Sequence, residues 1–288
     1  MGAVAHVQPR QSWRPTRVTA LRAAEFALGT FVLLVLIEAV LRFSLFDPRF
    51  WQRFDAFFEP GLYGSLRSIL LVIPISLVVG FLTGWGRISR HRVVSWPTTV
   101  YVDFFRGVPP LILVIFAFLF GASFIPGPIH ERFLSGMSLQ SISVLIATIV
   151  IALHSGAYQA EIFRAGFQSV PKGQLEAAQA LGMRSWRAMR FVVLPQTFRL
   201  SLPPLGNELA VLIKDTSLLA IIAGGAELVG GSQNFVGTLA SQGLPLEWTF
   251  AVWTAVAIVY FVMTFTMTRV LLLLERRFHT PGLEAISI

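Results

Sequence analysis

The sequence predicts an all-α polytopic membrane protein with about six transmembrane helices. Three observations carry that prediction. Of the 288 residues 55% are hydrophobic and only 13% are charged, too few charges for the surface of a soluble domain of this length. Apolar runs long enough to cross the hydrocarbon core, roughly 20 residues each, recur along the chain. The segments between them alternate between Arg-rich and Arg-poor, as loops on the two sides of a membrane do. That alternation also accounts for the net charge of +8, so no nucleic-acid-binding patch is required. Cysteine is absent, which excludes a disulfide framework and thiolate metal sites.

Residues 1–22 form a basic tail with Arg10, Arg14, Arg17 and Arg22. Residues 23–46 supply the first span, a retained helix, because no small-residue cleavage site follows it. Glu38 within it is costly in lipid and is expected to face protein or the far interface. Residues 47–60, mixed and aromatic, are expected to lie along the membrane surface. The second span is 61–85, with Pro74, Gly80 and Gly84 tolerated where neighbouring helices restore the freed backbone partners. A basic loop, 86–97, precedes the third span at 98–121. Arg106 at its entry is a pathway residue, a charge partner for Asp103 or a cytoplasmic anchor. A Gly- and Pro-containing loop leads to the fourth span, 139–160, where His154 reads as a packed or interfacial histidine with no partner at ligand spacing. The fifth span is 202–224, the sixth is 248–274, and 223–247 between them is a Gly-rich loop without Lys or Arg. Residues 275–288 are a short tail.

The longest polar, helix-prone passage is 155–217. Ser169 is placed to cap a helix with Pro171 in its first turn. Leu175, Ala178 and Leu181 recur at near-helical spacing, and Gly182 stands where a left-handed C-terminal cap belongs. Ser185 is placed to cap a second short helix that Pro195 limits. Two short amphipathic helices joined at a glycine make a docking surface, not a span. The later part, Asn207, Glu208, Lys214, Asp215, Thr216 and Ser217, falls inside the fifth span, where polar groups face a bundle interior or a water-filled path. A lysine, a carboxylate and amide groups suit a zwitterionic amino acid. The same residues can equally neutralise one another's helices, and both readings stay open.

Glu176-Ala177-Ala178, then Gly182, then Leu194-Pro195 resembles the EAA loop of permease subunits of ATP-binding-cassette (ABC) importers. The words from Ala157 to Arg164, Val170-Pro171-Lys172-Gly173-Gln174, Leu202-Pro203-Pro204-Leu205-Gly206-Asn207 and Lys214-Asp215-Thr216-Ser217-Leu218 are similar to the histidine/glutamine branch, which takes up polar amino acids. The resemblance implies a five-helix type I permease core within 61–274, with the helix at 23–46 as an addition. It implies that 170–195 is a coupling loop docking in a groove of the ATPase. By their own chemistry Arg106 and the fifth-span polar residues are the candidate substrate pathway, while the resemblance assigns Gln174, Glu176, Ala177, Ala178, Leu181, Gly182 and Met183 to that contact. It further implies ABC ATPase subunits as partners, a second permease chain, identical or related, and an extracytoplasmic amino-acid-binding protein. ATP and Mg would be held by the ATPase, with no cofactor in this chain. Pro110, where the family pattern has a leucine, is a departure.

An enzyme site is not legible. There is no P-loop, Gly230-Gly231-Ser232 is not a nucleophile elbow, and the histidines are scattered. The competing expectation is a self-sufficient ion-coupled transporter or channel using Lys214, Asp215 and Glu208. Charge orients the chain with both termini and the EAA loop on the cytoplasmic side, and the resemblance implies a bacterial cytoplasmic membrane.

Overall fold

The computed structural model describes residues 29–33, 36, 45–120, 125, 127–134 and 136–278. Most of the predicted first span, Glu38 included, and both tails beyond these limits lie outside the described residues. No strand occurs among the described residues.

Helix α1, Pro48–Arg87, begins where Asp47 accepts the backbone N–H of Arg49 at 2.9 Å and Pro48 fills the first turn. That backbone hydrogen bond holds the Asp47 carboxyl below the usual carboxylate range. At 40 residues, α1 is about 60 Å long. The segment 47–60 is therefore continuous with the second span and does not lie flat on a membrane surface. Its aromatic rings have a better partner than lipid: Phe50 and Phe54 are fully buried against Phe235, Leu239, Trp248 and Val252.

The third span is broken. Helix α2, Arg92–Gly107, meets helix α3, Pro110–Phe120, at an angle of 102°. Val108 is extended (φ −105°, ψ 130°), as a residue before proline prefers, and Pro109 has no N–H to continue the ladder. After a short helical turn at 127–134, helix α4, Leu139–Ser169, starts on a Ser138 side-chain cap and runs well past the predicted end at 160. Helices α1 and α4 pack closely because small residues line the seam. A Cβ on Gly80 would lie 2.6 Å from the Gln159 Cβ.

Helix α5 is Lys172–Ala180 and α6 is Ser185–Ala188. A π turn, Met189–Val193, joins α6 to α7, Leu194–Asp215. Pro195 thus does not end a helix. The widened turn ahead of it absorbs its ring, and its missing N–H falls in the first turn of α7. A 3₁₀ stretch, Thr216–Leu219, leads into α8, Ala220–Ala223. The predicted Gly-rich loop is mostly helix: a turn at Gly224–Ala226 opens into α9, Leu228–Ser241, inclined 48° to the run before it. Helix α10, Trp248–Phe278, closes the described chain.

Three of these helices are long and apolar enough to cross a membrane, and the two bent pairs bring the number to five. The core lies between α1, α3, α4 and α7, around Val72, Val114, Ile151 and Leu212. Leu70, Trp96, Phe116 and Phe261 stay exposed, a surface suited to lipid.

Candidate functional site

Helix α5 ends in a Schellman turn. Gly182 takes φ +83°, its N–H reaches Gln179 O at 2.9 Å, and Met183 N–H reaches Ala178 O at 3.1 Å. The predicted glycine cap is in place. The predicted N-caps are not. Ser169 belongs to the last turn of α4, where its hydroxyl donates to Ala165 O at 2.8 Å, and Ser185 is already the first residue of α6, without a side-chain cap bond.

Ala178 is buried, whereas Gln174, Glu176, Ala177, Gly182 and above all Leu181, 86% exposed, face outward, with Met183 half-buried. Behind α5, Leu175, Val170 and Val193 join Phe163 and Phe167 in one apolar cluster. Trp186 stacks on Trp85 of α1, ring centroids 5.9 Å apart and planes 10° from parallel. Helix α5 thus rests on α6 and the π turn, Trp186 of α6 ties that unit to α1, and Leu175 reaches the cluster shared with α4 and α7, with one face left open.

The polar residues of α7 divide between two faces. Asn207 and Lys214, two turns apart, share one direction and are exposed. Glu208 and Asp215 share the next and are half-buried. Ser155 Oγ of α4 donates to Glu208 Oε1 at 2.9 Å. Gln159 Nε2 donates to Ser155 Oγ at 3.1 Å and to Ser76 Oγ of α1 at 2.9 Å. A polar thread therefore crosses α7, α4 and α1. Among the described residues neither Lys214 nor Asp215 forms an ion pair within 4 Å. Thr216 is buried, donating to Ile213 O at 2.7 Å, and Ser217 is half-buried.

Arg106 lies apart from that thread, in a charge cluster at the end of the bundle that carries α5. It meets Glu161 Oε1 at 3.4 Å and covers the Tyr158 ring at 5.3 Å. Glu161 also binds Arg87 and, at 2.7 Å, Arg164. Asp103 pairs with Arg87 at 3.8 Å, not with Arg106. Sequence reasoning missed Glu161 and Arg87 as a pair. The only local signal was the i, i+3 spacing of Glu161 and Arg164. His154 is buried with its ring against Tyr158, centroids 5.2 Å apart.

Residues 76–280 match the family described as binding-protein-dependent transport system inner membrane component. The chain belongs to this family. The EAA loop and the polar stretch of α7 both fall within the match. The probable glutamine ABC transporter permease protein GlnM of Bacillus subtilis is 32% identical over 231 residues, covering 78% of this chain and 95% of the relative. The glutamine transport system permease protein GlnP of Escherichia coli is 35% identical over 201 residues, covering 70% and 83%. Among solved structures, one described as an amino acid ABC transporter with histidines superposes with a TM-score of 0.61 at 29% identity, over 77% of this chain and 94% of the other. As a permease of this family the chain is a membrane-spanning transport component, and α1 to α10 are its bundle.

Proposed function

We propose that this permease is the membrane-spanning subunit of an ATP-driven importer that moves a polar amino acid into a bacterial cell by alternating access. The observation that carries the reading is the mounting of α5. A short helix with Glu176, Ala177 and Leu181 exposed is braced through Trp186 and Leu175 onto three long helices. A push on such a helix moves the spans as a body. The motor is a pair of ABC ATPase subunits, which hold ATP and Mg, and Gln174 to Met183 form the contact. The exposed Asn207 and Lys214 face is completed by a second permease chain, and together they line the pathway with Thr216 and Ser217. Lys214 offers a cation for the substrate carboxylate, and Glu208 and Asp215 offer anions for its ammonium. The glutamine names of the relatives support an amino acid as cargo, delivered by an extracytoplasmic binding protein. Arg106, tied to Glu161, is a gatepost at the cytoplasmic end.

The test is co-expression with the ATPase and uptake of labelled glutamate, glutamine and arginine, which separates acidic, amide and basic cargo. Glu176→Lys is expected to abolish both co-purification of the ATPase and uptake. Uptake that persists in Glu176→Lys, or that needs no ATPase, overturns the importer reading in favour of an ion-coupled carrier. In the same assay Lys214→Ala is expected to raise KM about tenfold, the effect of losing one charge-assisted contact. Unchanged kinetics would leave Lys214 a structural residue.

A further inference from the structure

Glu227 is 1% exposed, and among the described residues it has the fullest set of hydrogen bonds of any carboxylate. Ser65 Oγ of α1 and Tyr260 OH of α10 donate to Oε1 at 2.6 and 2.7 Å. Val229 and Gly230 N–H donate to Oε2 at 2.8 and 3.3 Å. The two oxygens of a carboxyl group offer about four acceptor positions, and four donors converge on them here. Ser65 Oγ in turn accepts the N–H of Leu228 at 3.1 Å, so the opening N–H groups of α9 are all satisfied by this one cluster.

The turn ahead of α9 lies backbone to backbone on α1. A Cβ on Gly64 would come within 1.7 Å of Ala226 O. With no side chains interlocking there, the carboxylate joins the opening turns of α9 to α1 and α10, while further along α9 Phe235 and Leu239 pack into the cluster of Phe50, Phe54 and Trp248. Both ends of α9 are glycine turns, Gly224 at φ +53° and Gly243 at φ +63°. The opening turns of α9, preceded by the Gly224 turn and held by this one polar cluster, have the build of a hinged end with a latch.

We propose that Glu227 is a positioning residue that latches the opening turns of α9 against α1 and α10, and that this end of α9 loosens on the Gly224 turn when the latch is released. This rests on the alternating-access reading for its purpose, but not for its test. The chain has no cysteine, so a single introduced thiol is the only target. Ser232 of α9 is fully buried and its hydroxyl has no partner among the described residues, so Ser232→Cys costs no hydrogen bond. Ser143 of α4, 5% exposed, supplies the control as Ser143→Cys.

The full chain in membrane vesicles is labelled with a small maleimide, with no nucleotide or amino acid present. Tyr260→Phe, which removes one latch bond, and Ser65→Ala, which removes two, each with little loss of volume, are expected to speed labelling at Ser232→Cys about three- to tenfold while leaving Ser143→Cys unchanged. Glu227→Gln is expected to do so more strongly. No change at Ser232→Cys overturns the latch. Equal acceleration at Ser143→Cys also overturns it, because the bundle as a whole has then loosened. Neither result bears on whether the chain carries amino acids.

Discussion

Around Glu161 three arginines converge from three helices, Arg87 of α1, Arg106 of α2 and Arg164 of α4, and Asp103 adds a second carboxylate to Arg87. The Arg87 side chain is 15% exposed and Arg106 42%, so the pairs lie between the buried and the solvent-screened case. Replacing Glu161 leaves three cations with only Asp103 to answer them. Glu161→Gln is expected to destabilise the bundle by about 1–3 kcal/mol, between the exposed and the buried limits for such pairs. Arg164→Gln, which leaves Arg87 and Arg106 paired, is expected to cost less. Thermal midpoints of the two variants in detergent check the order, and equal midpoints would show that Glu161 has no central part. Residues of this kind are hard to read from sequence. Glu176 and Gly182 stand out because their spacing within one short helix has a local reason. Glu161 and Glu227 find their partners 74 and 162 positions away, and no periodicity announces such pairs.

At the level of elements, the apolar runs among the described residues fall on helices, but their ends followed backbone rules that the hydropathy pattern does not contain. Helices α1 and α4 both overrun the membrane-length estimate, because a helix goes on after the apolar stretch if no breaker stops it. Pro195 suggested a stop and is absorbed by a π turn, whereas Pro109 and Pro110 coincide with a real break. The difference lies in what surrounds each ring. The loop 223–247 was read as irregular from its glycines, yet Glu227 supplies a cap and α9 forms. In the loop 170–195 the Gly182 cap was legible because a left-handed turn follows a local rule, whereas the N-caps expected at Ser169 and Ser185 are not formed.

The loop 170–195 is anchored by the Trp85–Trp186 stack beside the apolar cluster behind Leu175. An aromatic pair contributes about 0.5–1.5 kcal/mol beyond its buried area. Trp186→Ala is therefore expected to speed amide hydrogen exchange across 172–193 about three- to tenfold and to leave α4 unchanged. Unaltered exchange in α5 would mean that the apolar cluster behind it suffices.

For the molecule as a whole, the arginines of α1 act as a ruler. Arg67 and Arg87 stand about 30 Å apart along the helix axis, the thickness of the hydrocarbon core. The remaining half of α1 then projects beyond the bilayer, carrying the Phe50 and Phe54 cluster and the start of α10 with it. Tilt would shorten the projection, but a helix of about 60 Å cannot hide its whole length in lipid. The α5 end gathers Arg87, Arg90, Arg92, Arg164, Lys172, Arg184, Arg187 and Arg190, while the opposite end mixes Arg49 and Arg53 with Asp47, Asp55, Glu59 and Glu247. Cytoplasmic flanks retain Lys and Arg, so the α5 end is expected inside and the aromatic cap outside. In a chain without native thiols the test is direct. Gln242→Cys, exposed just after α9, is expected to react with an impermeant maleimide in intact spheroplasts, and Arg90→Cys, exposed between α1 and α2, only after the membrane is opened. The reverse pattern would turn the protein over and remove α5 from any contact with an ATP-driven partner, since both depend on the same side of the membrane.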